Sequence, residues 1–274
     1  MSMKKKRWLQ RIVILVMLIL FCWIQNKYLT VTYYIYETAL LPENFEGFRI
    51  VQISDLHNAT FGAGNGRLVS KVEALQPDMI VLTGDLVDSG HTNMKVALEF
   101  AKESVAIAPT YYITGNHENW LEVSEKEYLL TELEKLSVMC LRDEAVEISL
   151  GDSTFTLIGL NDESLMGNTL RMVLEDTDTE TLRILLAHEP QYLDNYAASG
   201  VDLVLTGHAH GGQFRLPFVG GLVAPDQGLF PEYTNGEHVK GETTMIISRG
   251  LGNSVIPLRV FNLPEIVCVD LSVK

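Results

Sequence analysis

The sequence predicts an α/β protein, with two stacked sheets flanked by helices, preceded by one N-terminal transmembrane helix. Three observations predict it. One long apolar run occurs, at residues 12–24 (IVILVMLILFCWI), directly behind a basic cluster. Short runs rich in Val, Ile and Leu then alternate with stretches of helical apolar spacing. The runs outnumber the helical stretches, which fits two stacked sheets flanked by helices.

Composition bounds the answer. With 274 residues, 47% hydrophobic and 20% charged, the chain forms one large domain or two small ones. The apolar fraction excludes disorder, and three cysteines exclude a disulfide scaffold. A single long apolar run excludes a polytopic membrane protein. The net charge is −14, yet Lys4, Lys5, Lys6, Arg7, Arg11 and Lys27 put +6 on residues 1–27, leaving −20 on the rest. So acidic a surface repels phosphate backbones, and no nucleic-acid partner is expected.

As a helix, residues 12–24 span about 20 Å, short of the roughly 30 Å of hydrocarbon. Extension to residues 8–28 reaches about 31 Å, with Arg11 snorkelling and Trp8, Trp23 and Tyr28 near the interfaces. A cleaved secretory signal is the alternative. No small-x-small site follows the run, only Gln25, Asn26 and Lys27, and Phe21 before Cys22 opposes a lipoprotein cleavage box. An uncleaved, single-pass cell-membrane anchor is favoured. The basic cluster keeps the N-terminus cytoplasmic and places the large domain outside. The expected division is residues 1–28, basic N-terminus and anchor, and residues 29–274, one large domain.

No repeat or low-complexity linker divides the large domain. Residues 31–36 alternate as a strand, and Pro42 and Gly47 mark a loop. Residues 49–54 read as a buried strand ending in Asp55-Leu56-His57, and residues 68–75 as a helix stopped by Pro77. Residues 79–83 form the next strand, ending in Gly84-Asp85. Residues 94–106 form a helix stopped by Pro109. Residues 110–114 form a strand ending in Gly115-Asn116-His117-Glu118. The second half repeats the habit, with strands at 182–187 before His188 and at 203–206 before Gly207-His208-Ala209-His210. Further strands are expected at 154–160, 244–248 and 265–271. Ligand sites of α/β sheets lie at such carboxyl ends.

Five of the seven histidines stand at these strand ends, beside Asp, Asn or Gly. Five buried imidazoles would each need a partner if purely structural. Aspartate, asparagine and histidine together suit Mn²⁺, Fe or Zn²⁺. On an extended chain, Asp-x-His and His-x-His would each aim both side chains one way. Neighbouring glycines let the backbone turn tightly or approach a ligand.

In order and spacing, Asp55-x-His57, Gly84-Asp85-x-x-Asp88, Gly115-Asn116-His117-Glu118, His188 and Gly207-His208-x-His210 resemble the calcineurin-like metallophosphoesterases, most closely their membrane-anchored bacterial branch. The resemblance covers about residues 30–274, including the ending Pro257-Leu258-Arg259 through Pro264-Glu265-Ile266. It implies the four-layer α/β/β/α sandwich of metallo-dependent phosphatases and a dinuclear centre with two divalent ions, Mn, Zn or Fe. Asp55, His57, Asp85 and His210 would hold the first, and Asp85, Asn116, His188 and His208 the second, with Asp85 bridging. His117 matches the catalytic histidine. Asp88 would orient it by accepting its second N–H, with Glu118 competing for that role. The implied reaction is attack on phosphorus by metal-activated hydroxide, with His117 as general acid and no covalent intermediate. Two cations against two aspartates leave the site locally positive despite the acidic domain.

The implied function is a phosphoesterase, a phosphodiesterase before a monoesterase. The anchor points to a lipid-linked or envelope-derived phosphate ester. Relatives also include a pyrophosphohydrolase of UDP-2,3-diacylglucosamine, whose cytoplasmic substrate conflicts with an outward domain. A nuclease is disfavoured by charge. Non-catalytic scaffolds in the family lose ligands, and here all seven positions are filled.

Other features read as ordinary. His188-Glu189-Pro190-Gln191-Tyr192 lacks the second histidine of HExxH. Gly62-x-Gly64-x-Gly66 and Gly250-x-Gly252 read as loop glycines. Cys140 and Cys268 are expected as free thiols, Arg67, Arg249 and Arg259 as solvated arginines, and His91 as exposed. Tyr33, Tyr34 and Tyr36 are assigned to core and strand. Asp143, Glu144 and residues 176–180 are assigned to solvated faces. Residues 216–235, apolar and rich in Gly and Pro, read equally as a cap that grips an acyl chain and as loop and strand of the core.

Overall fold

The computed structural model describes residues 3–254 and 256–274. The first two residues of the expected anchor segment fall outside it. Helix α1 (Met3–Lys27) is one continuous 25-residue helix, a candidate membrane span with a mean hydropathy of 2.0 over its best 18-residue window. At about 1.5 Å per residue it is roughly 38 Å long. Leu29 is buried beneath its end, and Thr30 opens the first strand.

Two six-stranded sheets follow. The first contains β1 (Thr30–Thr38), β2 (Arg49–Ile53), β3 (Met79–Thr83), β4 (Thr110–Ile113), β5 (Met139–Cys140) and β16 (Glu265–Val273), in spatial order β1-β16-β2-β3-β4-β5. The run β2 to β5 is parallel, β16 is antiparallel to β2, and β1 is parallel to β16. The second contains β6 (Glu144–Leu150), β7 (Ser153–Gly159), β8 (Arg183–Leu186), β9 (Leu203–Thr206), β14 (Gly236–Lys240) and β15 (Thr243–Ile247), in order β14-β15-β9-β8-β7-β6. Its four central strands are parallel and both edges antiparallel.

Strand periodicity sorts the apolar side chains between layers. In β3, Ile80 and Leu82 face helices α2 (Gly66–Ala74), α3 (Met94–Ile107) and α5 (Val123–Lys135), meeting Leu68, Val72, Phe100 and Leu133. Met79 and Val81 point the other way, into a core between the sheets shared with Phe155, Leu157, Ile184 and Leu205. The outer face of the second sheet is covered by α6 (Thr169–Leu174) and α7 (Leu193–Ser199) through Leu170, Leu174, Leu193 and Tyr196. These layers make the α/β/β/α sandwich. Gln52, fully buried between the sheets, donates to Thr83 Oγ1 and to the Thr206 carbonyl, both at 2.9 Å, joining β2 to β9.

The predicted strands are present, within a residue or two at their ends. Helix α5, the hairpin β6–β7 and the helices α6 and α7 had not been anticipated. Tyr34 and Tyr36 pack against the inter-sheet core, whereas Tyr33 faces solvent. All three cysteines are free.

Residues 216–235 belong to a small ribbon on the surface. It comprises β10 (Arg215–Leu216), β11 (Gly220–Gly221), β12 (Val223–Ala224) and β13 (Gly228–Leu229). Neither six-stranded sheet includes it.

Candidate metal centre

All seven predicted ligands lie just past the carboxyl ends of β2, β3, β4, β8 and β9, with Asn116 opening the one-turn helix α4 (Asn116–Asn119) and His210 a 3₁₀ turn. Because the two sheets stack, these five loops converge. Asp85 Oδ2 stands 3.3 Å from His57 Nε2 and 3.2 Å from His188 Nε2. On one side of it, His57 Nε2 and His210 Nε2 are 3.2 Å apart, and Asp55 Oδ1 is 3.6 Å from His210 Nε2. On the other, Asn116 Oδ1 lies 3.1 Å from His188 Nε2 and 2.9 Å from His208 Nδ1. The donor atoms of Asp55, His57 and His210 all lie within 4.8 Å of one another, as do those of Asp85, His188 and His208. Each of these residues is buried.

The loop conformations differ from the expectation of extended Asp-x-His and His-x-His. Asp55 (φ 52°), His57 (φ 43°), Asp85 (φ 54°), His208 (φ 64°) and His210 (φ 47°) are left-handed. The chain folds back sharply after β2, β3 and β9 instead of continuing the pleat. Such backbone is costly outside glycine and persists where surroundings over-determine it. Here the His57 amide donates to the Asp85 carbonyl at 2.9 Å, and the His208 amide to Asp55 Oδ1 at 3.0 Å. Space is equally tight. A Cβ on Gly207 would overlap Ser54 Oγ and Asp55 Oδ2, and one on Gly115 would overlap Asp85 Oδ1.

Outer contacts fix the donor atoms. His188 Nδ1 is 2.8 Å from the Thr83 carbonyl, which leaves Nε2 facing Asp85. His208 Nε2 is 3.0 Å from Asp226 Oδ2, on the ribbon, which leaves Nδ1 facing Asn116. The His117 amide donates to Asp85 Oδ1 at 2.9 Å, so Oδ2 is free to serve both sides.

Electrostatics in the metal-free protein follow from crowding. Burial would raise the Asp85 carboxyl, but His188, by charge and hydrogen bond, together with His57 and His117, holds it far below the usual range. Burial opposes a charge on His188, yet Asp85 wins and pushes it well above the ordinary value. Burial lowers His57, and burial with the neighbouring His57 lowers His210. Two imidazole nitrogens facing each other among carboxylate oxygens suit a shared divalent cation.

His117 stands beside this cluster, its ring 4.5 Å from that of His57 and 4.8 Å from Trp120. Its Nδ1 accepts the Ser89 amide at 3.1 Å, so the ring proton resides on Nε2, 3.1 Å from Ser254 Oγ. Asp88 was expected to accept from His117; its carboxylate lies within 4.8 Å of the His57 and His117 rings without a hydrogen bond to His117. A nitrogen that accepts an amide has no proton to give a carboxylate. Asp88 Oδ1 instead accepts from the Gly90 amide at 2.8 Å, and Oδ2 lies 3.8 Å from His57 Nδ1. Glu118 does not compete either. It accepts the amides of Asp85 (2.8 Å), Val87 (3.2 Å) and Gly115 (2.8 Å), tying together two ligand loops.

Arg259 is not solvated. It is fully buried, donates to the carbonyls of Arg249 (2.8 Å) and Gly252 (3.2 Å), and burial pushes it down to about 10. It thereby clamps the loop that carries Ser254. Arg249 is also largely buried, paired with Glu265 at 2.8 Å. Asp143 accepts the Asn161 amide at 2.8 Å and Ser164 Oγ at 2.6 Å, so it braces a loop rather than facing solvent alone. His91 is exposed as expected. Ser89, Ser254 and Asp226 escaped sequence reasoning because Ser and Asp in loops carry no distinguishing signal.

The family model of calcineurin-like phosphoesterases matches residues 48–212, a span containing every one of the seven ligand positions. The chain belongs to that family. It is a metal-dependent phosphoric ester hydrolase by that membership. The uncharacterized metallophosphoesterase YkuE of Bacillus subtilis (strain 168) is 30% identical over 240 residues, 86% of this chain and 82% of that one. Phosphodiesterase YaeI of Escherichia coli (strain K12) is 30% identical over 239 residues, 85% of each chain. A "transmembrane protein with metallophosphoesterase domain" from Danio rerio is 31% identical over 247 residues, 84% of this chain and 54% of that one. A calcineurin-like phosphoesterase is typically dimetal-dependent, and the donor set here fits two ions.

Proposed function

We propose that this calcineurin-like phosphoesterase hydrolyses phosphodiesters at a dinuclear centre, with α1 holding it in the membrane. The observation that carries the reading is Asp85 Oδ2, within 3.3 Å of a donor nitrogen on each side. Asp55, His57, Asp85 and His210 would hold one ion, and Asp85, Asn116, His188 and His208 the other, with Mn, Zn or Fe suiting this donor set. When bound, two such ions supply Lewis acidity toward phosphoryl oxygens and activation of water.

The chain's own groups do the rest. The Thr83 carbonyl and Asp226 orient the ring nitrogens of His188 and His208. The Ser89 amide holds His117 Nδ1 as an acceptor, so that Nε2–H offers the leaving oxygen a hydrogen bond that stabilises its developing charge. Ser254 Oγ holds that proton's direction until substrate replaces it. Asp88 Oδ1 holds the Gly90 turn, and its carboxylate lies beside His57 and His117 without a hydrogen bond to either. The similarity to phosphodiesterase YaeI supports a diester over a monoester.

Cleavage of bis-p-nitrophenyl phosphate by the chelated, Mn²⁺-restored protein tests this. His117→Ala should lower kcat by about 10²–10³, the loss of one preorganised donor to developing charge, and Asp85→Ala should abolish metal-dependent turnover. Asp85→Ala that keeps wild-type activity rejects the centre. Faster release from p-nitrophenyl phosphate would make it a monoesterase.

The basic residues before α1 support a cytoplasmic N-terminus and an external domain. External protease that degrades the domain in intact cells, leaving cytoplasmic markers whole, is the expected result. Protection of the domain would reverse the orientation.

A further inference from the structure

The metal centre, the end of α1 and an apolar ribbon are joined by a short chain of contacts. His117 Nε2 lies 3.1 Å from Ser254 Oγ, and the adjacent Asn253 donates to Asn26 Oδ1 of α1 at 2.7 Å. On the other flank, Gln25 Oε1 accepts the Asn262 amide at 3.2 Å, and the Asn262 side chain donates to the His210 carbonyl at 2.7 Å. Phe21 meets Phe261 edge-on at 5.8 Å. Helix α1 is exposed from Met3 to Leu20 except at the half-buried Ile12, and its contacts with the domain begin at Phe21. A bilayer taking the exposed length, about 27 Å at 1.5 Å per residue, would therefore end at the rim of the site.

The ribbon continues this rim. The Arg215 amide bonds the Val260 carbonyl at 2.9 Å, next to Phe261, and the Leu222 and Phe230 amides extend the ladder outward. Its turns expose Leu216, Phe218, Val219, Leu229 and Phe230, with Phe218 wholly uncovered. Single exposed apolar residues are ordinary, but a contiguous set beside a candidate membrane span is not. Beneath the ribbon is a cavity of about 280 Å³. Val223, Ala224, Pro225 and Ile256 wall it, and His210, Ser254 and Gln213 also line it, the Gln213 amide nitrogen being spent on the Ile256 and Leu258 carbonyls at 2.8 and 2.7 Å. The four walling side chains offer no hydrogen bond to a sugar or base. Their chemistry suits a hydrocarbon chain.

We propose that this cavity binds the apolar chain of a membrane-resident phosphodiester while the ribbon turns rest in the lipid surface. The inference rests on the phosphodiesterase reading and names its substrate class. The phosphate would reach the metal centre past His210, and the chain would run along Ile256 and Pro225 toward the bilayer. The lipid would be cut without leaving the membrane.

The test uses the full chain with Mn²⁺ in phosphatidylcholine vesicles and two probes, butyl and dodecyl p-nitrophenyl phosphate. Wild type should favour the dodecyl ester in kcat/KM by at least about tenfold, since buried methylenes add binding. Ile256→Asp and, separately, Val223→Asp should collapse that ratio. Variants that keep the wild-type ratio overturn the cavity assignment, because partition into lipid alone would then explain it. A dodecyl phosphonate with a diazirine at its chain end gives a readout free of turnover. Labelling of Val223, Pro225 or Ile256 supports the cavity even if neither ester is cleaved, in which case the phosphodiesterase reading fails alone. Labelling confined to α1 overturns the cavity.

Discussion

At the residue scale, the centre is a competition between protons and metal. In the metal-free protein His188 holds its proton against Asp85 well above the ordinary histidine range. Metal binding must expel that proton. Calorimetric titration with Mn²⁺ in buffers of different ionisation enthalpy should report net proton release near neutral pH, and His188→Ala should reduce it. Glu118 offers a separate measurement. Burial, and then the Asp85 charge, push its carboxyl up to about 7, against the ordinary 4.5. A raised folded value contributes stability below the unfolded value and loses it as pH rises through the folded one. Glu118→Gln keeps one acceptor oxygen but turns an amide group toward backbone donors, which costs about 1–3 kcal/mol. In chelated protein the gap between wild type and Glu118→Gln should be largest near pH 4.5 and narrow toward pH 7, read from urea midpoints. Identity of the donors was legible in the sequence because Asp, Asn and His at strand ends are few. Their left-handed backbone was not, because φ at Asp55 or His210 is imposed by neighbouring loops. The same holds for Ser89, whose amide sets His117 through contact between two loops 28 residues apart.

At the element scale, apolar runs buried on both faces gave away the parallel strands β2, β3, β4, β8 and β9. Helix α5 was harder to read. Its buried stripe is only Leu129, Leu130 and Leu133 within a charged sequence, and its start depends on a Glu122–Glu125 capping box. The ribbon was legible only as a segment of unusual composition, since its strands are two residues long. Loop packing permits little change at strand ends. Gly207→Ala should displace Ser54 and Asp55 together, cutting metal affinity as well as stability. Equilibrium dialysis against Mn²⁺ would show it, and an unchanged dissociation constant would contradict the tight packing described.

At the scale of the molecule, both candidate ion sites span the two sheets, with donors from β2–β4 on one side and β8–β9 on the other. Ions held there cross-link the sandwich. Saturation at about 100 times the dissociation constant should stabilise the fold by about 2.7 kcal/mol, seen as a fall in Tm on chelation and recovery with Mn²⁺.

The pairing of β1 with β16 carries a consequence for biogenesis. Among the described residues, the strand leading out of α1 pairs with β16 alone, and β16 also fills the gap between β1 and β2. An exported chain would therefore lower more than two hundred residues through the translocon before its first strand finds a partner. An anchoring α1 would secure the polypeptide early, whereas the sheet that bears four of the seven candidate ligands closes only when residues 265–273 emerge.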